Sequence, residues 1–140
     1  MADETNQLRI RLVTPERTLF EHTVSAVLLP AKNGYMEVLP GHAPLMAELG
    51  AGDVKIMGGP DGDKRYNVSW GFAEVLPQRV TILASDALSP EEIDVPRAEK
   101  QLDHGLQMWK EAGESADAYT EALRVISEAE AKMSSAADKS

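Results

Sequence analysis

The sequence predicts an α+β chain that is mainly β: a two-layered β domain, sandwich or barrel, followed by an antiparallel hairpin of two helices. Short β-rich runs recur at about 8–12-residue spacing between Gly/Pro turns up to residue 87. Beyond residue 88 the apolar period becomes helical. Aromatic residues are 5% of the chain, so Val, Leu, Ile, Ala and Met must build the core. The domains are therefore placed at residues 1–87 and 88–140.

The β elements follow in order. Leu8-Arg9-Ile10-Arg11-Leu12-Val13 alternates apolar and polar side chains and stops at Thr14-Pro15. Val24-Ser25-Ala26-Val27-Leu28-Leu29 is expected to end at Pro30, and Tyr35-Met36-Glu37-Val38-Leu39 runs into Pro40-Gly41. Val54-Lys55-Ile56 leads into Gly58-Gly59-Pro60-Asp61-Gly62, a hairpin loop by composition. Arg65 to Trp70 and Gly71 to Leu76 read as two strands; Pro77-Gln78 is a turn, and Arg79-Val80-Thr81-Ile82-Leu83 is the last strand.

The helices are expected at about 94–112 and 116–133. Ala98, Leu102, Leu106, Trp109 and Ala112 share one helix face, and Tyr119, Leu123, Ile126, Ala129 and Met133 share another. Ser89-Pro90-Glu91-Glu92 has the form of a capping box, but Pro96 argues against one helix running from there. Asp94 is the better N-cap, accepting from the Arg97 N–H, with Pro96 in the first turn where its missing donor is harmless. Residues 86–93 then form a hinge, and the tail Ser134 to Ser140 is expected to fray. The second stripe is largely alanine around three bulky residues, so the hairpin needs a docking surface. A lightly docked element suits a conformational switch.

Composition excludes several classes. With no cysteine there are no disulfides or thiolate metal sites. A net charge of −9 disfavours nucleic acid and anionic lipid as partners. No apolar run approaches the roughly 18–20 residues of a membrane span, and Met1-Ala2-Asp3-Glu4 opens without a signal-peptide pattern, so a cytoplasmic-side location is the default expectation.

Candidate chemistry is sparse. In "GYMEVLPGHAPLM" a lone histidine sits between Pro40-Gly41 and Pro44. As a general base His42 lacks a nearby serine, and His22, His42 and His104 have no metal-ligand spacing. His42 reads as part of a rigid corner that a protein touches. The Gly58–Gly62 loop lacks the Lys-Ser/Thr of a phosphate loop. Asp61-Asp63 and Glu91-Glu92 fall at turns and helix entries, and too few aromatics are present for a sugar-binding cleft. No catalytic constellation and no metal site emerge.

Thr14-Pro15-Glu16-Arg17, Leu29-Pro30 with Gly34, Leu39-Pro40-Gly41-His42-Ala43-Pro44-Leu45, Gly71-Phe72-Ala73-Glu74-Val75 and Ile82-Leu83-Ala84 together resemble the epsilon subunit of F-type ATP synthase, whose mitochondrial counterpart is called delta. The resemblance spans about residues 7 to 133. It implies a ten-stranded β-sandwich carrying two C-terminal helices, and a non-catalytic rotor part of the central stalk. Implied partners are the gamma subunit and the c-ring, transiently the alpha and beta subunits, without membrane insertion. The implied place is the cytoplasmic face of the bacterial inner membrane, where the hairpin would extend to block ATP hydrolysis.

Within that resemblance Tyr35, Glu37, Pro40, Gly41 and His42 are the expected contacts with gamma and the c-ring. Tyr35 stands where an acidic residue is usual and Glu37 where a glycine is; Trp70 replaces a small residue. "IDVPRA" is similar to the motif with which some family members bind ATP, which names Ile93, Asp94, Arg97, Ala98 and Arg124 as a possible weak nucleotide site. ATP clamping of the hairpin is the alternative function; otherwise no cofactor is implied.

Overall fold

The computed structural model describes residues 7–138. The chain divides after Leu88 into two compact units, one of strands and one of helices.

The first unit contains β1 (Leu8–Val13), β2 (Thr18–Val24), β3 (Ala26–Ala31), β4 (Gly34–Val38), β5 (Leu45–Leu49), β6 (Gly52–Gly59), β7 (Gly62–Leu76) and β8 (Arg79–Leu88). The hydrogen-bonded order is β2-β1-β8-β7-β5-β3-β4, with β6 paired to both β3 and β7. All pairs are antiparallel except β1 with β8, which sets Arg9 beside Arg79 and Val13 beside Leu83. Inward residues at period two, among them Leu8, Ile10, Leu12, Val27, Leu29, Val54, Ile56, Val68, Val80 and Ile82, form one core drawn entirely from this unit.

Among the described residues eight strands build the sandwich, not ten. The difference lies in β7 and β8, which run through both layers and count twice when the layers are counted separately. The first half of the 15-residue β7 pairs with β6 and the second half with β5, while β8 follows it along most of its length. The crossing point is Trp70-Gly71, where the sequence suggests a break between two strands. Trp70 has φ 51° and Gly71 φ 150°. A side chain on Gly71 would meet the backbone of Leu83 and Ala84, so only glycine lets β8 lie this close. Ser85, skipped by the pairing, donates its hydroxyl to the carbonyls of Ser69 (2.5 Å) and Trp70 (3.3 Å) at the bend.

Other boundaries also move. β2 and β5 were not expected; conversely Val24 to Leu29 is interrupted at Ser25, whose N–H bonds Met57 at 2.9 Å, and Pro30 lies inside β3 rather than ending it. Two two-residue hairpins, Pro60-Asp61 and Pro77-Gln78, sit where turn chemistry puts them, and a third, Lys32-Asn33, joins β3 to β4.

The second unit starts with a capped 3-10 turn at Pro90–Glu92, so only part of 86–93 is a connector and β8 extends to Leu88. Glu92 accepts from the N–H (2.9 Å) and hydroxyl (3.1 Å) of Ser89. Then come α1 (Val95–Glu111) and α2 (Ala116–Ala137), the latter four residues longer than expected and including most of the presumed frayed tail. Asp94 caps α1, accepting from the Arg97 N–H at 3.1 Å, and Ser115 caps α2, accepting from Ala118 at 3.2 Å.

The helix seam differs from the expected one. Ala98, Gly105 and Ala112 are the buried positions near it on α1, with Ala122 and Ala129 on α2, each set at seven-residue steps. A Cβ on Gly105 would lie 2.8 Å from Ile126 Cγ1 and 3.2 Å from the Ile126 backbone nitrogen. The backbones therefore approach through small residues. The bulky residues that looked like the core, Leu106, Trp109, Tyr119 and Leu123, are all more than two-fifths exposed, with the Trp109 and Tyr119 rings 6.3 Å apart.

Candidate functional site

The expected contact residues lie on edge strand β4 and the loop that follows it. Alternation puts Tyr35 and Glu37 on one exposed side of β4, opposite buried Val38. Tyr35 reaches across Pro30, its partner on β3, to β6: its hydroxyl accepts from the Asp53 N–H at 3.0 Å. Gly52 has to be small beneath it, since a Cβ there would sit 2.7 Å from that hydroxyl. Asp53 in turn holds Arg65 (3.0 Å) and Asn67 (3.2 Å) in a half-buried network. Tyr35 is thus pinned at its tip while its ring stays 56% exposed. Glu37 is different. It is exposed and makes no ion pair among the described residues.

The loop is a braced corner. Gly41, with φ 90°, donates its N–H to the Pro77 carbonyl at 2.7 Å, tying the corner to the β7–β8 turn. The His42 N–H bonds the Leu39 carbonyl at 3.2 Å, and Nδ1 lies 2.7 Å from the Ala43 carbonyl. A carbonyl only accepts, so Nδ1 is the donor in that bond. Pro40 and His42 are half-buried, whereas Leu39 is exposed beside them and went unmarked in the sequence. A rigid ridge combining an apolar tip, an imidazole and a free carboxylate is suited to protein contact. No serine, carboxylate or second histidine is hydrogen-bonded to the ring among the described residues, so proton transfer has no apparatus here.

The five residues of the possible nucleotide site, four at the hairpin entry and Arg124 on α2, divide by burial. Ile93 and Ala98 are buried in packing. The Asp94 carboxylate is occupied as the α1 cap. Arg97 is exposed on the first turn and makes no ion pair among the described residues, and Arg124 is exposed on α2. Among the described residues no group of three metal-ligating side chains converges, and no helix is long and apolar enough to cross a membrane.

Residues 7–90 match the profile of the ATP synthase delta/epsilon chain β-sandwich domain. The chain is 41% identical to the ATP synthase epsilon chain of Solibacter usitatus over 133 residues, covering 94% of this chain and 97% of that one. It is 32% identical to the chloroplastic ATP synthase epsilon chain of Porphyra purpurea, covering 92% and 95%. Among solved structures, a chain of the Euglena gracilis mitochondrial ATP synthase superposes with TM-score 0.75 at 23% identity, covering 89% of this chain and 78% of that one, which speaks to the fold. A chain of the Tetrahymena thermophila mitochondrial ATP synthase central stalk and c-ring gives 0.70 at 13%, covering 95% and 98%. The β-sandwich profile spans more than half of the chain, a relative is matched over nearly its full length, and the chain belongs to the ATP synthase delta/epsilon family.

Proposed function

We propose that this chain is the non-catalytic central-stalk subunit of a proton-translocating ATP synthase, carried at the cytoplasmic face of a bacterial inner membrane. Its sandwich grips the gamma subunit and rests on the c-ring, and its hairpin reaches transiently to the alpha and beta subunits to restrain ATP hydrolysis. The observation that carries this reading is the likeness to epsilon chains across both units. The braced ridge of Tyr35, Glu37, Pro40, Gly41 and His42 supports it as a contact surface, since its side chains are held without chemistry of their own.

The hairpin's part rests on its exposed Leu106, Trp109, Tyr119 and Leu123, an apolar face in need of a partner. The test is co-purification with gamma, followed by ATPase assays of the complex with the full chain and with residues 1–88 alone. The truncated chain retains its whole core and is expected to bind gamma while hydrolysis rises. Unchanged hydrolysis removes the restraining role; failure to bind gamma removes the stalk reading.

A second reading, in which ATP clamps the hairpin, is favoured by one observation: the Arg97 guanidinium is exposed and without an ion pair among the described residues. Calorimetry with ATP on the intact chain, set against Arg97→Ala, decides it. Absence of heat at millimolar ATP disposes of the clamp.

A further inference from the structure

The chain has three asparagines, Asn6, Asn33 and Asn67, of which the last two lie among the described residues. Asparagine is a thermolabile side chain, and its surroundings decide how fast it decays. Asn67 is shielded. It is 2% exposed, its side-chain nitrogen donates to the Gly52 carbonyl at 3.4 Å and the Asp53 carboxylate at 3.2 Å, and β-branched Val68 follows it. Asn33 is the opposite in each respect. It is exposed at the tip of the hairpin that joins β3 to edge strand β4, and its side chain makes no hydrogen bond among the described residues. Gly34 follows it, exposed as well, with φ 130° and open space on the side where a Cβ would stand.

This pairing of residues sets up one chemical step. The Gly34 backbone nitrogen attacks the side-chain amide carbon of Asn33. Its proton passes to water, the new C–N bond closes a five-membered imide, and the side-chain nitrogen leaves as ammonia. Water then opens the ring. Breaking the bond to the side-chain carbon gives aspartate. Breaking the old peptide bond gives isoaspartate, in which the chain continues through the side-chain carbon. One water is consumed and one ammonia released, with nothing oxidised or reduced. A side chain on the following residue would screen the attack, and glycine has none. The pairing of Gly34 with Ala31 holds the nucleophile back in the closed hairpin, so the reaction proceeds through local opening, which a hairpin at a sheet edge undergoes readily.

We infer that Asn33-Gly34 is a site of spontaneous deamidation, and that its isoaspartate product unpins the Tyr35 ring. A two-residue turn fixes the register of the strands it joins. Here that register sets Pro30 opposite Tyr35 and brings the Tyr35 hydroxyl to the Asp53 N–H at 3.0 Å. Isoaspartate lengthens the backbone of the turn by a methylene, two residues before Tyr35, and the tie to Asp53 is lost. Aspartate leaves the backbone length alone. Its carboxylate adds a charge beside Lys32, which already holds Glu48 at 3.2 Å with both side chains exposed, and it leaves the register as it was. Both steps belong to the chain alone and hold with or without the stalk reading.

The full chain is incubated at mildly alkaline pH, once native and once unfolded in urea, then digested with trypsin and weighed by mass spectrometry. Peptide 33–55 is expected to exchange an amide NH2 for a hydroxyl in both samples, more slowly in the native one, while peptide 66–79 with Asn67 stays intact in the native one. Methyl transfer from S-adenosylmethionine by an isoaspartyl methyltransferase reports the isoaspartate, and Asn33→Ser is expected to abolish that label on this peptide. Amide exchange at Asp53 is expected to rise roughly fivefold in the isoaspartate-bearing chain, as for the loss of one hydrogen bond, and to stay unchanged in Asn33→Asp. An intact Asn33 in the native chain, over a period that converts the unfolded one, would overturn the site. Unchanged Asp53 exchange in the isoaspartate-bearing chain, or an equal rise in Asn33→Asp, would overturn the unpinning.

Discussion

Replacing Gly71 by alanine tests the crossing of β7 between layers. At φ 150° an L-residue pays roughly 1–3 kcal/mol in backbone strain alone. The new Cβ would also stand 2.9 Å from Ala84 Cα and 3.0 Å from the Leu83 carbonyl carbon. These are backbone atoms, with no rotamer to relieve the contact, so β8 must retreat and lose at least one ladder hydrogen bond, worth about 1 kcal/mol. The sum is about 2–4 kcal/mol, a large part of the roughly 5–15 kcal/mol that holds a domain folded. Gly62→Ala is the control. It has φ 87° but open space around the new Cβ, so only the conformational term of about 1–2 kcal/mol applies. The difference of about 1–2 kcal/mol corresponds to about 4–16 °C in Tm for a unit of this size. Urea titrations and thermal melts followed by circular dichroism read it directly. Equal midpoints for the two variants would refute the argument that close β7–β8 approach, rather than φ, makes glycine necessary.

Gly105→Leu forces side-chain bulk against Ile126 and is expected to destabilise the hairpin by about 1–3 kcal/mol, read as faster amide exchange in α1 and α2 with β-unit exchange unchanged. Asp94→Ala removes the α1 cap and is expected to cost about 1 kcal/mol of helix stability, with exchange rising first at Arg97 and Ala98. Tyr35→Phe leaves the Asp53 N–H without its acceptor and is expected to lower the sandwich's stability by about 1 kcal/mol while preserving the ring's contact area; no change in the urea midpoint would show that water replaces the hydroxyl. Arg17→Ala removes the 3.2 Å bond from its guanidinium to the Ala87 carbonyl, and faster exchange confined to the end of β8 is the expected result.

Much of this architecture was legible in the residues, and the gaps have physical causes. Alternation in Leu8 to Val13 and turn chemistry at Pro60-Asp61 and Pro77-Gln78 act locally, so strand and hairpins could be read directly. The Asp94 cap was equally local: a carboxylate three residues before the donor it binds. β2 was obscured because Glu21-His22-Thr23 are all exposed on an edge strand, where alternation relaxes. β5 was hidden behind Pro44. The helix seam was sought in Leu106, Trp109 and Tyr119 because bulk usually marks burial; the seven-residue spacing of Ala98, Gly105 and Ala112 was the signal that could have found it. At the ridge, His42 was legible from Pro40, Gly41 and Pro44, but the long-range tie from Gly41 to Pro77 was not. The pairing of Arg9 with Arg79 was invisible for a related reason: the two become neighbours only through a parallel pairing between strands seventy residues apart.

The uninterrupted course of β7 through both layers has a mechanical corollary. In a sandwich whose sheets touch only through side chains, a sideways load on one sheet is resisted by dispersion forces alone, which slip easily. Here the two sheets share peptide bonds along β7 and again along β8, stitched at the Ser85 hydroxyl. Shear applied to the β4 edge is therefore borne by covalent backbone before it reaches the β1 side, and the sandwich yields as one piece.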